Sequence, residues 1–300
     1  MTFKTHFIEL PEGKEKTRKI SYTEWGDSGN NNVLFCVHGL SRNARDFDYI
    51  AEALSSNYRV VCMDVAGRGE SDWLENKSKY NYQTYISDVY ALLDSLQIDR
   101  VDWLGTSMGG IIGMIIASKR PEIINRLILN DVGAFIPGVA LDRIMGYVGV
   151  VPLFSSRNEA SQTLRHRMAT FGVKDDSHWQ HIFKHSIKKR KDGKYSFVYD
   201  PKIAQKPGLL SRVFFNLKNP NNLFKMPNID LWSVWEKIQA PVFVIRGEFS
   251  DILTKDILIK MKESKPELEY AEISAVGHAP TLMDSKQIET VRNWLVKDAA

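Results

Sequence analysis

The chain has 300 residues, 43% of them hydrophobic and 25% charged, with a formal net charge of +4 at pH 7. Such proportions belong to a globular protein with a full core, and a small charge spread along the chain excludes a nucleic-acid partner as the first expectation. No run of 18 apolar residues occurs and the N-terminus has no apolar signal core, so a membrane span is excluded and a soluble, cytoplasmic protein is expected.

Two alternating segments, "FKTHFIEL" and "RKISYTEWG", flank "PEGKEKT" and predict an antiparallel edge hairpin. "NVLFCVHG" then reads as a buried strand, "FDYIAEALSS" as a helix and "YRVVCMDVAGRG" as a second buried strand stopped by glycines. "YISDVYALLDSLQI" is helical, "RVDWLGTS" a strand, "MGGIIGMIIASKRPE" a helix ending near Pro121, and "INRLILNDVG" a further strand. Continuous apolar runs alternating with helices predict a mostly parallel sheet covered on both faces. Cys36 and Cys62 each fall inside such a run and read as buried free thiols, not as a disulfide framework.

The rhythm breaks from residue 134 to 235. Helical patches ("ALDRIMGYVGVV", "NEASQTLRHRMATFG", "DSHWQHIFKHSI") are interrupted by "GKYSFVYDPK" and "KNPNNLFKMPN", and the basic run "KKRKDGK" at 188 to 194 reads as a solvated turn. The strand "APVFVIRGEFSD", the helix "TKDILIKMKES", the strand "LEYAEIS" and the helix "SKQIETVRNWLVK" then resume the alternation. The simplest account is a core formed by residues 1–133 and 236–300, with a helical cap, 134–235, inserted between strands 6 and 7 over the carboxyl ends of the strands.

One serine, Ser107, stands where the strand "RVDWLGTS" turns into the next helix, with Gly105 and Gly109 on either side. That pattern is a nucleophile elbow: the turn is too sharp for side chains at the flanking positions, and it lifts the hydroxyl clear of the sheet. A serine needs a base, and the base needs a group to fix its tautomer. His278 follows the last strand in "ISAVGHAP", and Asp251 follows the strand before it in "VIRGEFSD", giving the expected set Ser107, Asp251 and His278. Asp131, at the end of the strand before the cap, is the competing acid and is expected instead to tie down the cap's first turn. The backbone N–H groups of Leu40, after the glycine of "VHGL", and of Met108, after the nucleophile, are the expected oxyanion donors. His38 could be a second base, but a structural role holding its loop is the favoured reading.

Three cap histidines, His178, His181 and His185, share a helix face that could bind a metal, yet no carboxylate on that helix completes the set, so they are expected at a polar border. Tyr147, Phe154, Phe171, Trp179, Trp232 and Trp235 would either line an apolar pocket or pack the cap.

The stretches "VHGL", "DVAGRGESD", "LGTSMGG", "VIRGEFSD" and "VGHAP" together resemble the α/β-hydrolase fold family over essentially the whole chain. The resemblance implies an eight-stranded core with a helical cap, with "DVAGRGESD" as the loop after the fourth strand. It is to the serine hydrolase branch that holds carboxylesterases, lactonases and carbon–carbon bond hydrolases. Haloalkane dehalogenases and epoxide hydrolases carry an aspartate where this chain has Ser107. The expected activity is hydrolysis of a small, mainly apolar carboxylic ester, thioester or lactone, with no cofactor and no metal. The same residues could instead cleave a carbon–carbon bond beside a ketone, and a non-catalytic ligand-binding or scaffold member of the fold is the alternative from another class.

Overall fold

The computed structural model describes residues 3–13, 15–150, 152–204 and 226–297. Its main sheet has eight strands: β1 (Phe3–Pro11), β2 (Thr17–Trp25), β3 (Val33–Val37), β4 (Arg59–Met63), β5 (Val101–Thr106), β6 (Ile124–Asn130), β7 (Val242–Gly247) and β8 (Glu269–Ile273). Their order across the sheet is β1-β2-β4-β3-β5-β6-β7-β8. The hairpin β1–β2 is antiparallel and β2 runs antiparallel to β4, while every other pair is parallel.

The strand patterns explain how the sheet is covered. All five residues of β3 and all six of β7 are buried, as expected where helices cover both faces. Side chains alternate between those faces. Phe35, Trp103 and Leu127 point into one apolar layer, which also holds residues of α2 (Tyr82–Ser95) and α3 (Met108–Lys119). Leu34, Leu104 and Ile128 point into the other, with α1 (Asp48–Leu54) and α8 (Ser285–Val296). Cys36 and Cys62 are free, buried and paired across β3 and β4. Helix α3 lies almost wholly inside the protein, so its sequence is apolar all round and not striped.

Between β6 and β7 the chain leaves the sheet. Phe135–Ile136 pairs antiparallel with Ile229–Asp230 and closes the neck of the excursion. Beyond it lie α4 (Gly138–Val148), α5 (Arg157–Arg167) and α6 (Asp176–Ser186), followed by α7 (Lys255–Ser264) after β7. "KKRKDGK" contributes a turn, as read from its Asp-Gly, but that turn joins two three-residue strands, Ile187–Lys189 and Tyr195–Phe197. Strands so short show no alternation, and the sequence gives no sign of them. The interruption at 218–225 lies outside the described residues. No helix among the described residues is long and apolar enough to cross a membrane.

Candidate active site

Ser107 sits between β5 and α3 with φ 51° and ψ −112°, a backbone conformation that costs a non-glycine residue on the order of 1–3 kcal/mol. The elbow glycines have a steric reason. A Cβ on Gly105 would lie 2.4 Å from the backbone of Gly109, and one on Gly109 would lie 1.9 Å from the carbonyl oxygen of Val37. The strained turn is held in register by the Ser107 N–H, which donates to the Asn130 carbonyl at 2.9 Å. It presents the hydroxyl at the N-terminus of α3, whose first N–H groups have no partner within the helix.

His278 reaches this hydroxyl from the loop after β8: its Nε2 is 2.9 Å from Ser107 Oγ. Among the contacts that hold that loop, two come from opposite sides. The Gly277 N–H donates to the Thr170 carbonyl in the cap at 2.6 Å, and Asn130 Nδ2 donates to the Pro280 carbonyl at 2.9 Å. The imidazole is therefore gripped from both the cap and the sheet.

The expected acid is not where the histidine is. Asp131 Oδ2 lies 2.6 Å from His278 Nδ1, and Asp131 is fully buried. Its φ of 59° turns the side chain across the end of β7. There Oδ1 accepts from the Gly247 N–H at 2.9 Å and Oδ2 accepts from Ser250 Oγ at 2.7 Å. Asp251 instead holds the cap: Arg143 of α4 donates to its two oxygens through Nε and Nη2, both at 2.7 Å, and the side chain is 44% exposed. Partial burial works the other way, but the Arg143 guanidinium keeps the Asp251 carboxyl below the usual carboxylate range. The sequence reading is thus inverted. Asp251 ties down the first cap helix, and the residue expected to do so, Asp131, orients toward the histidine.

His38 is structural. Its Nδ1 donates to the Gly39 carbonyl at 2.7 Å, and its Nε2 accepts from the Val65 N–H at 3.0 Å, so neither nitrogen is free to act as a base. Burial, with the nearby Arg68 and Arg42 charges adding to it, pushes its pKa down to about 4. The consequence for stability has a definite sign. Below pH ~6.5 the unfolded chain binds a proton on this imidazole that the folded protein refuses until about 4, so stability is lost as the pH is lowered through that window. The difference is worth about 3 kcal/mol by the bottom of the window. In a His38→Gln variant, whose amide can make the same two bonds, urea unfolding at pH 7 and pH 4.5 is expected to show a visibly smaller stability difference than in the wild type. An unchanged difference would refute this account.

One contributor had no signal in sequence beyond its loop motif. Arg68, fully buried in the loop after β4, donates through Nε to the Leu40 carbonyl at 2.9 Å and through Nη1 to the Ala66 carbonyl at 2.7 Å and Tyr85 OH at 2.9 Å; its Nη2 lies 3.7 Å from Met108 Sδ. It therefore braces both residues expected to supply the oxyanion donors. The same loop is bonded to the cap, since the Gly69 N–H donates to the Val198 carbonyl at 3.0 Å and the Asp200 N–H to the Gly67 carbonyl at 2.8 Å.

Above Ser107 and His278 lies a cavity of about 710 Å³ including its mouth. Leu40, Ile144, Leu164, Met168 and Phe171 make its walls largely apolar. Of the expected cap aromatics, Tyr147 and Phe171 line it, whereas Phe154, Trp179 and Trp235 are buried in packing and Trp232 is packed against the core. Phe197 and Tyr199, from the unforeseen cap hairpin and just beyond it, also line the cavity.

The cap histidines gain a partner from the core. Asp48 of α1 comes within 4.8 Å of the ligand atoms of His181 and His185, a spacing that could hold a metal ion. Both Asp48 oxygens already accept from Arg45 Nε, at 2.9 and 2.8 Å, and His181 Nε2 lies 3.0 Å from the Arg45 carbonyl. The group thus forms a clasp between cap and core with a cation already in it. His178 packs edge-on against Tyr49 instead.

The same architecture recurs in known proteins. Over 273 residues the chain is 38% identical to the 3-hydroxybutyrate-oligomer hydrolase of Cupriavidus necator, covering 90% of each chain. A solved structure from Rickettsia typhi is 37% identical, covers 99% of this chain and 100% of its own, and superposes with a TM-score of 0.87. An α/β hydrolase from Novosphingobium aromaticivorans is 31% identical over 98% of both chains, with a TM-score of 0.82. The sequence profile of the α/β hydrolase fold matches residues 32–282. With its eight-stranded sheet and its serine on the strand-to-helix elbow, the chain belongs to the α/β hydrolase fold family.

Proposed function

We propose that this protein is a serine hydrolase that cleaves a small carboxylic ester, thioester or lactone through an acyl-enzyme on Ser107. The observation that carries the reading is the unbroken series of hydrogen bonds from Ser107 Oγ through His278 to the buried Asp131, at the floor of an apolar cavity. His278 Nε2 takes the hydroxyl proton as Oγ attacks the carbonyl carbon, then returns it to the departing alcohol or thiol. A water deprotonated by the same nitrogen releases the acid. Asp131 keeps the remaining imidazole proton on Nδ1 and stabilises the cation that forms. Its other acceptor bonds, from Gly247 and Ser250, hold the carboxylate still while it does so.

The N–H groups of Leu40 and Met108 receive the developing oxyanion. In support, Leu40 lines the cavity beside Ser107, its peptide is held by Arg68, and Met108 opens α3. A fixed pair of donors of this kind is typically worth several kcal/mol in the transition state. Hydrolysis of a 3-hydroxybutyrate oligomer, the activity named for the Cupriavidus relative, is compatible with ester cleavage by these groups.

A fluorophosphonate probe tests the reading directly, because it reacts with activated serines. One equivalent is expected to label Ser107, with parallel loss of p-nitrophenyl butyrate hydrolysis. Failure to label a folded preparation would overturn the serine mechanism.

A further inference from the structure

The cavity over Ser107 contains two arginines, and they are in opposite situations. Arg42 is committed: its Nε donates to Asp46 at 2.8 Å, its Nη2 to the other Asp46 oxygen, and its Nη1 to Ser186 Oγ at 3.0 Å. Its charge is cancelled where it sits. Arg167, at the end of α5, pairs with no carboxylate among the described residues. Its Nη1 donates to Tyr199 OH at 3.2 Å and its Nη2 to the Val150 carbonyl at 2.9 Å, both neutral acceptors. A guanidinium has five N–H donors, and three of those on Arg167 meet no acceptor among the described residues. Residues 205–225, the long stretch of cap outside the described residues, contain no aspartate or glutamate to supply the missing charge.

The surroundings hold the guanidinium in place. Its centre lies 5.0 Å from the Phe197 ring centroid and 5.7 Å from that of Tyr147. Tyr199, which accepts from Arg167, donates in turn to the Val148 carbonyl at 3.3 Å. A positioned cation without a carboxylate partner among the described residues, in the wall of a largely apolar cavity, is only half of an ion pair. Such a group binds planar carboxylates through two parallel bonds, and apolar walls strengthen the attraction.

We infer that Arg167 is a carboxylate anchor, and that the substrate is a short ester carrying a free carboxylate a few bonds from the scissile carbonyl. The inference rests on the ester-hydrolase reading above and narrows its substrate class. Such a substrate places its anionic end on Arg167 and its ester on Ser107, so cleavage occurs at a set distance from the charged end. The carboxylate can sit on either side of the bond. Carried by the acyl group, it stays with the acyl-enzyme; carried by the alcohol, it leaves in the first step.

Two substrate pairs distinguish these cases. The first is mono-p-nitrophenyl glutarate against its methyl-capped counterpart, with charge on the acyl side. The second is 3-(butanoyloxy)propanoate against its methyl ester, with charge on the alcohol side and release of butyrate as the readout. The wild type is expected to prefer the anionic member of at least one pair in kcat/KM. In Arg167→Met, which keeps the aliphatic stem, that anionic-to-neutral ratio is expected to fall about 10- to 100-fold, mainly through KM, as for loss of a charged hydrogen bond. Arg167→Lys, which keeps the charge and loses the fork, is expected to recover part of the ratio. A wild type with no preference in either pair overturns the anchor while leaving the ester reading intact. So does an Arg167→Met variant that loses both members of a pair equally, since a structural role would do that. Hydrolysis of neither member of either pair overturns the ester reading, and the anchor with it.

Discussion

Ser107→Ala is expected to lower kcat for p-nitrophenyl butyrate by about a millionfold, the scale on which removal of the nucleophile silences a serine hydrolase. The fold is expected to survive, because the Ser107 hydroxyl caps no helix and, among the described residues, its one hydrogen bond is with His278. Backbone strain at φ 51° is the same for alanine as for serine, so relief of strain is no reason to expect a change in stability. Pre-steady-state measurements sharpen the test. The wild type is expected to show a burst of p-nitrophenol when deacylation is slower than acylation, and the variant none. A purified Ser107→Ala protein retaining a tenth of wild-type turnover would mean that the attacking group is a water or another side chain. The hydrogen-bonded order Ser107–His278–Asp131 would then need a different chemical role.

How much of this was legible in the sequence depended on whether the deciding contact was local. The parallel strands were, because strands covered on both faces spell continuous apolar runs such as "VLFCV" and "VFVIRG". The elbow was, because its glycines are demanded by contacts only a few residues away or across one strand pair. His278 was legible as the first titratable residue after the last strand. The cap hairpin was not: strands of three residues show no period, and their pairing depends on where the cap folds back. Arg68 and Arg167 were missed for a related reason. An arginine's meaning lies in what its guanidinium meets, and for these two the partners lie in loops and cap segments that only the fold brings near. The clasp of Asp48 with His181 and His185 makes the same point. Helical spacing gave the two histidines, while the carboxylate came from a helix more than a hundred residues earlier.

The acid shows most clearly where local reading stops. Asp131 and Asp251 each follow a strand of the same sheet, and no motif ranks one above the other. What separates them is the left-handed φ of 59° at Asp131, which swings its carboxylate over the end of β7 toward His278, and the presence of Arg143 in the cap, which captures Asp251. Two mutants put this to the test. Asp131→Asn is expected to reduce kcat about ten-thousandfold. Its amide can still accept from Gly247, but an NH₂ group facing Nδ1 favours the tautomer that puts the imidazole proton on the wrong nitrogen, and a change of that kind has this cost in the worked serine-protease case. Asp251→Asn is expected to retain catalysis within about tenfold, because the charged contact it weakens lies on a half-exposed side chain, where an ion pair is worth about 0–1 kcal/mol. Its effect should appear as faster proteolysis of the segment around α4, where Arg143 loses its partner. Parallel kcat measurements on the two variants decide the matter: a silent Asp251→Asn beside an active Asp131→Asn would place the acid after β7. The hydrogen bond between Asp131 and His278 would then serve only to position the imidazole.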